Sequence, residues 1–560
     1  MKTLYINSII LLGLFFLFSC GEDYLDEKPL DRFSPENLLI NQEGYETALY
    51  AIYDAVRLEH QITGANFDHR NLGSDVVRWG RADSRGFADY TLLNSSSVVV
   101  QQYWDWGFRD VIPRANLVLE NIDDQELEIE EGARNNIKGQ ALFFRAYAYN
   151  ILVTFYGGVP IVDKRITEPR FDFVRDSKDV VLNFIIEDLE LAGELLAEDP
   201  GDGMVSKAAA FHLLSEAYIS LGMSSNDPSY YDKAVNAASK IINQEVGSYQ
   251  LITSRFGSAS SSPGDVISDL HNASQLNKSE GNTETIWTYQ IQNYIQGGFL
   301  NYNPRWWAPS ADRIATPNGT PNLAADSLLR GIGVNSPTDF AKYFMWDDPN
   351  DLRNSKHNIR RTYYYNNPAD QEYFGKEVKV AKNVNGDLYI AEDDGVTLTS
   401  LKLDTVSWFY PWIKKLDGPA LNDDASSGRS AKDIVVMRLA ETYLLRAEAY
   451  FRSGKLDLAA ADINTVRNRA NASSISVGEV TEDFILDERA RELIMEEARV
   501  RTLLRMDRLV DRVKKYNSDP VGTSSISSGN TIQERNRLWP IPLSVIDANT
   551  AVVIQQNDGY

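Results

Sequence analysis

The chain has 560 residues, of which 43% are hydrophobic and 24% charged. That balance excludes a wholly disordered chain and leaves material for a large core; at about 150 residues per domain the length allows three to four domain equivalents. Asp and Glu number 79 against 56 Lys and Arg, a formal charge of −23, so nucleic acid is excluded as a partner: the chain would repel phosphate backbones, and no basic run compensates.

Lys2 precedes an apolar run, Ile9 to Phe18, broken by Gly13. Ten helical residues rise about 15 Å, half of a ~30 Å bilayer core, so the run reads as a signal h-region rather than a span. It ends Leu17-Phe18-Ser19-Cys20, which looks like a bacterial lipobox. Residues 1–19 are then a lipoprotein signal peptide and Cys20 the lipidated first residue. Each buried acyl CH₂ contributes about 0.8 kcal/mol, so several chains would hold the protein on a membrane. Cys20 is the one cysteine, which excludes an internal disulfide and Cys-based metal sites. Residues 20–35, with Pro29 and Pro35, read as a tether.

Tyr45, Leu49, Ile52, Tyr53 and Val56 recur at helical spacing within 43–58, the mark of an amphipathic helix. Residues 59–100 read as loop. Helices are predicted over 109–122 and 132–156, the second stopped by Gly157-Gly158 and Pro160. Further helices are predicted over 176–196, with Asp176 or Ser177 as N-cap, and over 206–221 and 230–244. From 246 to 431 Ser, Asn, Gly, Asp and Pro cluster and helical period fades. There Asn385-Gly386, between the strand-like runs 378–384 and 387–390, signals a hairpin. Helices resume at 432–453, 456–470 and 483–516, and Leu538-Trp539-Pro540-Ile541-Pro542 reads as extended.

Arg145-Ala146-Tyr147-Ala148-Tyr149 and Arg446-Ala447-Glu448-Ala449-Tyr450 share R-A-x-A-Y. Glycines follow Tyr218 and Tyr450 by four residues, and Ala-rich second helices come next (Ala234, Ala237, Ala238; Ala459, Ala460, Ala461). Small residues let paired helices approach closely. This is the logic of tetratricopeptide-like pairs.

Common enzyme signatures are missing: no G-x-S-x-G, Walker loop, H-E-x-x-H or G-x-G-x-x-G occurs. The five histidines lack ligand spacing; His212, in a predicted helix, reads as a packed or surface imidazole. Adjacent acids such as Asp347-Asp348 are expected by chance among 79 carboxylates. The aromatics say more. An indole covers the apolar C–H face of a sugar while Asn, Asp, Arg or Gln bond its hydroxyl rim. Two loop segments combine these groups: Asp75-Val76-Val77-Arg78-Trp79-Gly80-Arg81 and Asn301-Tyr302-Asn303-Pro304-Arg305-Trp306-Trp307. The candidate ligand-binding residues are Trp79, Arg81, Tyr302, Asn303, Arg305, Trp306, Trp307 and Trp346. Each of these Trp residues could instead plug a loop–helix join. Trp104, Trp106 and Trp539 read as core. Glu488, Arg489, Arg491, Glu492, Glu496 and Arg499 alternate charge at helical spacing, the pattern of a salt-bridged helix face worth a few tenths of a kcal/mol per pair.

Several blocks together resemble the SusD/RagB family of nutrient-binding outer-membrane lipoproteins. They are the lipobox with Tyr24-Leu25-Asp26, residues 139–147 with Phe155-Tyr156-Gly157-Gly158-Val159-Pro160, residues 436–450, residues 485–493, and the tail 538–542 ending Asn557-Asp558-Gly559-Tyr560. Gly21-Glu22-Asp23 resembles the surface-export signal of Bacteroidetes lipoproteins. The resemblance implies a mainly α fold: a tetratricopeptide-like scaffold of helical pairs with a loop-rich ligand-binding region containing short β-hairpins. The expected organisation is helical scaffold over 36–245, ligand-binding region over 246–431, and helical scaffold with extended tail over 432–560. It further implies a non-catalytic lipoprotein, anchored to the outer membrane at the cell surface, that captures glycans and passes them to a TonB-dependent, SusC-like transporter. No cofactor is expected beyond the lipid on Cys20. Peptide or other nutrient binding, and a surface glycoside hydrolase, are the alternatives.

Overall fold

The computed structural model describes residues 35–61, 69–81, 87–295, 298, 300–325, 329–518 and 527–560; the signal segment, Cys20 and the tether up to residue 34 lie outside the described residues. The protein is mainly α-helical. Helix α1 (Gln42–Arg57) starts at Asn41, whose side chain accepts the Gly44 N–H, and it buries Tyr45, Leu49, Ile52 and Val56. α2 (Val98–Asp105) runs through a wide π-turn, Trp106–Val111, into α3 (Ile112–Asn121). Helix thus begins ahead of residue 100, in a stretch expected to be loop, because Val99, Val100, Tyr103 and Trp104 bury a face against the core.

α4 (Glu131–Tyr156) is buried along most of its length and stops at Gly157, where φ is +72°. α5 (Lys178–Leu195) is capped by Ser177, which accepts the Val180 N–H. α6 (Lys207–Ser225) and α7 (Ser229–Ile242) complete a run in which each helix packs on its successor. A short helix, α8 (Asn303–Trp307), lies in the loop-rich region. α9 (Leu439–Arg452), which packs on α7, and α10 (Leu456–Arg469) continue the pairing. Pairing of successive helices accounts for the R-A-x-A-Y copies. Arg145 donates to Asp188 of α5 at 2.8 and 2.7 Å. Arg446 donates to Asp462 of α10 at 2.8 and 2.7 Å. In each copy one arginine forks onto an aspartate of the following helix.

Two predicted helices differ from the structure. Residues 434–438, expected to begin a helix, form a strand, because Ile434-Val435-Val436 favours extended backbone and has a partner. The predicted helix 483–516 is three: α11 (Glu482–Leu493), α12 (Arg499–Arg505) and α13 (Leu509–Tyr516). Met495 and Asp507 adopt positive φ, 68° and 56°, and turn the chain between them.

The strands are short. β1 (Val77–Trp79) pairs antiparallel with β3 (Asn335–Pro337), Trp79 opposite Asn335. β2 (Thr285–Tyr289) pairs antiparallel with β9 (Ile434–Arg438), and β4 (Ile359–Arg360) with β8 (Trp412–Ile413). β5 (Val380–Lys382), β6 (Leu388–Ala391) and β7 (Leu398–Lys402) form an antiparallel sheet. The hairpin at Asn385-Gly386 is present but differs from the two-residue turn expected. Gly386 alone takes positive φ (84°), and a turn over 383–386 closes through the Asn383 and Gly386 backbone, the three-residue form of loop. Ala311, Ile314, Tyr363, Tyr365, Tyr373, Val378, Ile390 and Leu403 give this region its own small core.

The charge pattern along 488–499 is not a solvent face. Glu488, Arg489, Glu492 and Arg499 are buried. Glu488 accepts from Arg353 at 2.8 Å, Arg467 at 2.7 Å and Arg491 at 3.0 Å. Glu492 accepts from Arg353 at 2.9 Å and Arg438 at 2.5 Å, and also from Arg469. α11 thereby ties together the loop-rich region, β9 and α10. The error has a physical source: spacing along one helix is the same whether its charges meet water or arginines brought from elsewhere.

Candidate functional site

The two aromatic segments singled out in the sequence meet. Asp75 anchors the first. Its carboxylate accepts from Arg499 at 2.8 and 2.7 Å and from Arg512 at 2.9 Å. Burial works against its charge, yet the two guanidiniums outweigh burial and hold the carboxyl at about 2. The Asp75 carbonyl accepts from Thr338 at 2.6 Å, and Asn517 donates to the Ser74 and Val77 carbonyls at 2.7 and 2.8 Å. β1 is thus held by the C-terminal helices. Asp75 is a buried anchor and not a ligand group.

The second segment joins through 330–335. The Arg305 carbonyl accepts the Ile332 N–H at 2.8 Å, the Ala308 carbonyl accepts Gly333 N–H at 3.0 Å, and Gly80 N–H donates to Val334 at 2.9 Å. The approach is close enough that a Cβ on Gly80 would fall 1.7 Å from the Gly333 oxygen. From the other side, loop 425–430 closes on α8. Arg305 donates to the Ser427 carbonyl at 2.9 Å, Ser430 N–H to Asn301 at 3.1 Å and Arg330 N–H to Ala425 at 3.2 Å. Gly428, at φ +70°, makes this possible: a Cβ there would lie 2.3 Å from the Arg330 oxygen.

Four expected ligand residues reach the surface of this junction. Trp79, Tyr302 and Arg305 are half-buried and Arg81 is exposed. Tyr302 stacks on Trp306, centroids 5.6 Å apart and planes 13° apart, and Arg429 lies 6.0 Å from the Tyr302 centroid. The other four are packed inside. Trp306 and Trp307 are 2% and 1% exposed, and Asn303 and Trp346 are buried too. Trp306 backs the Tyr302 ring. The Trp307 carbonyl accepts the Tyr410 hydroxyl at 2.6 Å. Asn303 uses its N–H on Asn301 at 3.0 Å, and Trp346 donates its indole N–H to Ala341 at 2.9 Å. For these side chains the loop–helix plug is what the structure shows, as it is for Trp104, Trp106 and Trp539. His212 is also packed, against Thr442 at 2.9 Å.

The sequence reading missed Arg330 and Arg429, which flank Arg305. Both sit in irregular Gly- and Ser-bearing stretches with no periodicity to mark them. Burial and then the nearby Arg330 guanidinium push the Arg305 pKa down; Tyr302 pulls the other way, and Arg429 and Arg81 add smaller downward pushes. A separate cavity of about 600 Å³ is lined by Trp104, Phe108, Phe173, Val545 and Ile554 among others; none of the expected ligand residues lines it. Among the described residues no group of three His, Cys, Asp or Glu could hold a metal ion, and no helix is long and apolar enough to cross a membrane.

Comparison with known proteins gives a consistent picture. Residues 23–219 match the family described as "Starch-binding associating with outer membrane", and residues 265–560 match the SusD family. The chain is 40% identical to starch-binding protein SusD of Bacteroides thetaiotaomicron over 128 residues, 23% of this chain and 22% of that protein. It is 22% identical to SusD-like protein P2 of Formosa agariphila over the whole of both chains. A solved SusD homolog from Bacteroides thetaiotaomicron superposes with TM-score 0.68 at 18% identity, covering 96% of this chain and 100% of that one. Surface glycan-binding protein A from Bacteroides fluxus superposes with TM-score 0.64 at 19% identity, covering 92% and 99%. With the SusD match alone spanning more than half of the residues, the chain belongs to the SusD family.

Proposed function

We propose that the protein captures oligosaccharides at the cell surface, held to the outer membrane by lipid on Cys20, and passes them without chemical change to a TonB-dependent transporter. The observation that carries the reading is the shelf formed where β1 and α8 both pack on β3: Trp79 at the end of β1 and the Tyr302 ring stacked on Trp306, on backbone pinned from both sides. Rigid aromatic faces of this kind suit the C–H side of a sugar ring, and Arg81 and Arg305 beside them suit its oxygen rim. Family membership supports the binding role, since relatives carry names such as starch-binding protein and surface glycan-binding protein. Calorimetry against a panel of neutral and charged oligosaccharides tests it. Trp79→Ala and Tyr302→Ala are each expected to weaken binding about tenfold, or ~1.4 kcal/mol. Two variants that bind like the parent would remove the shelf from consideration. Cys20→Ser is expected to leave the membrane fraction in its native host, and cross-linking of the parent there to recover a TonB-dependent transporter.

A further inference from the structure

The shelf has an unusual electrostatic setting. In a chain of net charge −23, Arg81, Arg305, Arg330 and Arg429 gather at one surface junction. Several buried arginines of the fold are matched to acids: Arg145 to Asp188, Arg446 to Asp462, Arg499 to Asp75, Arg505 to Glu448. At the junction such matching is sparse. Among the described residues, Arg81, Arg305 and Arg429 form no ion pair, and Arg330 has only Asp312 at 3.7 Å. In the adjoining loop Asp423 accepts the Tyr294 hydroxyl, and Asp424 accepts the Ser426 hydroxyl at 2.5 Å and feels the Arg429 charge without pairing with it. Arg305 spends one N–H on the Ser427 carbonyl, and Arg330 is half exposed.

Bringing like charges together costs free energy, and four guanidiniums that among the described residues face only Asp312 and Asp424 keep a net positive field for an external anion. Guanidinium forks match carboxylate and sulfate oxygens in pairs. The cations also adjoin the aromatic shelf, with Arg429 near the face of Tyr302.

We propose that this junction selects anionic oligosaccharides, whose ring stacks on the Trp79 and Tyr302 shelf while a sulfate or carboxylate substituent is held by the Arg81, Arg305, Arg330 and Arg429 guanidiniums. The assignment rests on the glycan-capture reading and specifies the ligand class for that same site. The shared chemistry is an oxyanion on a sugar ring, and its two sources are a sulfate ester and a uronate.

The test is calorimetry of the intact protein with three probes at low and high salt: a sulfated galactan oligosaccharide, an oligogalacturonate and a neutral malto-oligosaccharide. At least one anionic probe is expected to bind about tenfold or more tighter than the neutral one and to weaken with salt, as surface charge pairing requires. Which anionic probe binds identifies the substituent. Arg81→Gln, an exposed position with little risk to folding, and Arg429→Gln are each expected to cut anionic affinity severalfold, by a larger factor than they cut any neutral binding. Arg305→Lys keeps the charge but loses the fork, and is expected to be weaker than the parent. Neutral binding equal to or tighter than both anionic probes would overturn the proposal while glycan capture stands. Anionic binding untouched by both glutamine variants would overturn it as well. Failure of all three probes would take the glycan-capture reading down with it.

Discussion

Asp75 shows how one buried side chain can shape a surface site. It touches no exposed group, yet it receives Arg499 and Arg512 from two C-terminal helices and so fixes the strand that ends in Trp79. Replacing it by Asn removes the charge and leaves two guanidiniums short of a partner in a dry setting. Arg499 keeps Glu497 and Arg512 keeps Asp487, which softens the loss. Asp75→Asn is expected to destabilise the protein by about 3 kcal/mol, read as a shift in denaturation midpoint at constant slope. Ligand affinity should fall with it, because the strand end is released. A change below about 0.5 kcal/mol, the usual surface range, would show that the clamp is dispensable.

At the scale of elements, two kinds of device recur. Helix pairs are bolted by an arginine fork onto the next helix, in both copies of the R-A-x-A-Y motif. Irregular segments are brought together by glycines that tolerate what other residues cannot. Gly428 is the sharper case, with positive φ and no room for a Cβ. Gly428→Ala must shift the loop off Arg305 and Arg330. The expected result is a local one: a destabilisation of about 1–3 kcal/mol, unchanged helical circular dichroism, and at least a tenfold loss of ligand affinity in calorimetry. Retention of full affinity would mean that loop 425–430 does not contribute to the site.

Over the whole molecule, charge is distributed in two ways. The interior between α9, α11 and α12 holds matched ions, while of the four junction arginines only Arg330 has an ion-pair partner among the described residues, Asp312 at 3.7 Å. The interior sets the response to acid. Burial opposes ionisation of Glu488 and Glu448, but Arg353, Arg491 and Arg467 around the first and Arg505 and Arg452 around the second win, holding each at about 2 from an ordinary 4.5. Asp75 behaves alike, at about 2 from 3.8. A carboxyl whose folded pKa is depressed contributes stability above its unfolded pKa and loses it as pH falls toward the folded one. These three groups each contribute on the order of 2–4 kcal/mol. Stability should therefore hold above about pH 4.5 and fall steeply toward pH 2, followed by thermal melts across that range. Glu284, Asp188 and Asp462, raised chiefly by burial, work the other way and blunt the fall. A melting temperature flat from pH 5 to pH 2 would contradict the predicted acid response.

The helical pairs, the stop at Gly157, the Ser177 cap and the family resemblance were legible in the residues themselves, because a helix is set by the spacing of apolar groups and by the chemistry at its ends, both local quantities. The two aromatic segments were also legible as a composition. What tertiary structure alone decided was orientation and company. Trp306 and Trp307 are neighbours of half-buried Tyr302 and Arg305 in the chain, yet they point inward, because α8 packs beside β3. Arg330 and Arg429 join Arg81 and Arg305 only after loops more than two hundred residues apart have docked on a shared scaffold. The buried or exposed role of the 488–499 charges had the same origin. Periodicity reports which face a side chain occupies, but the partner opposite that face is supplied by the rest of the fold.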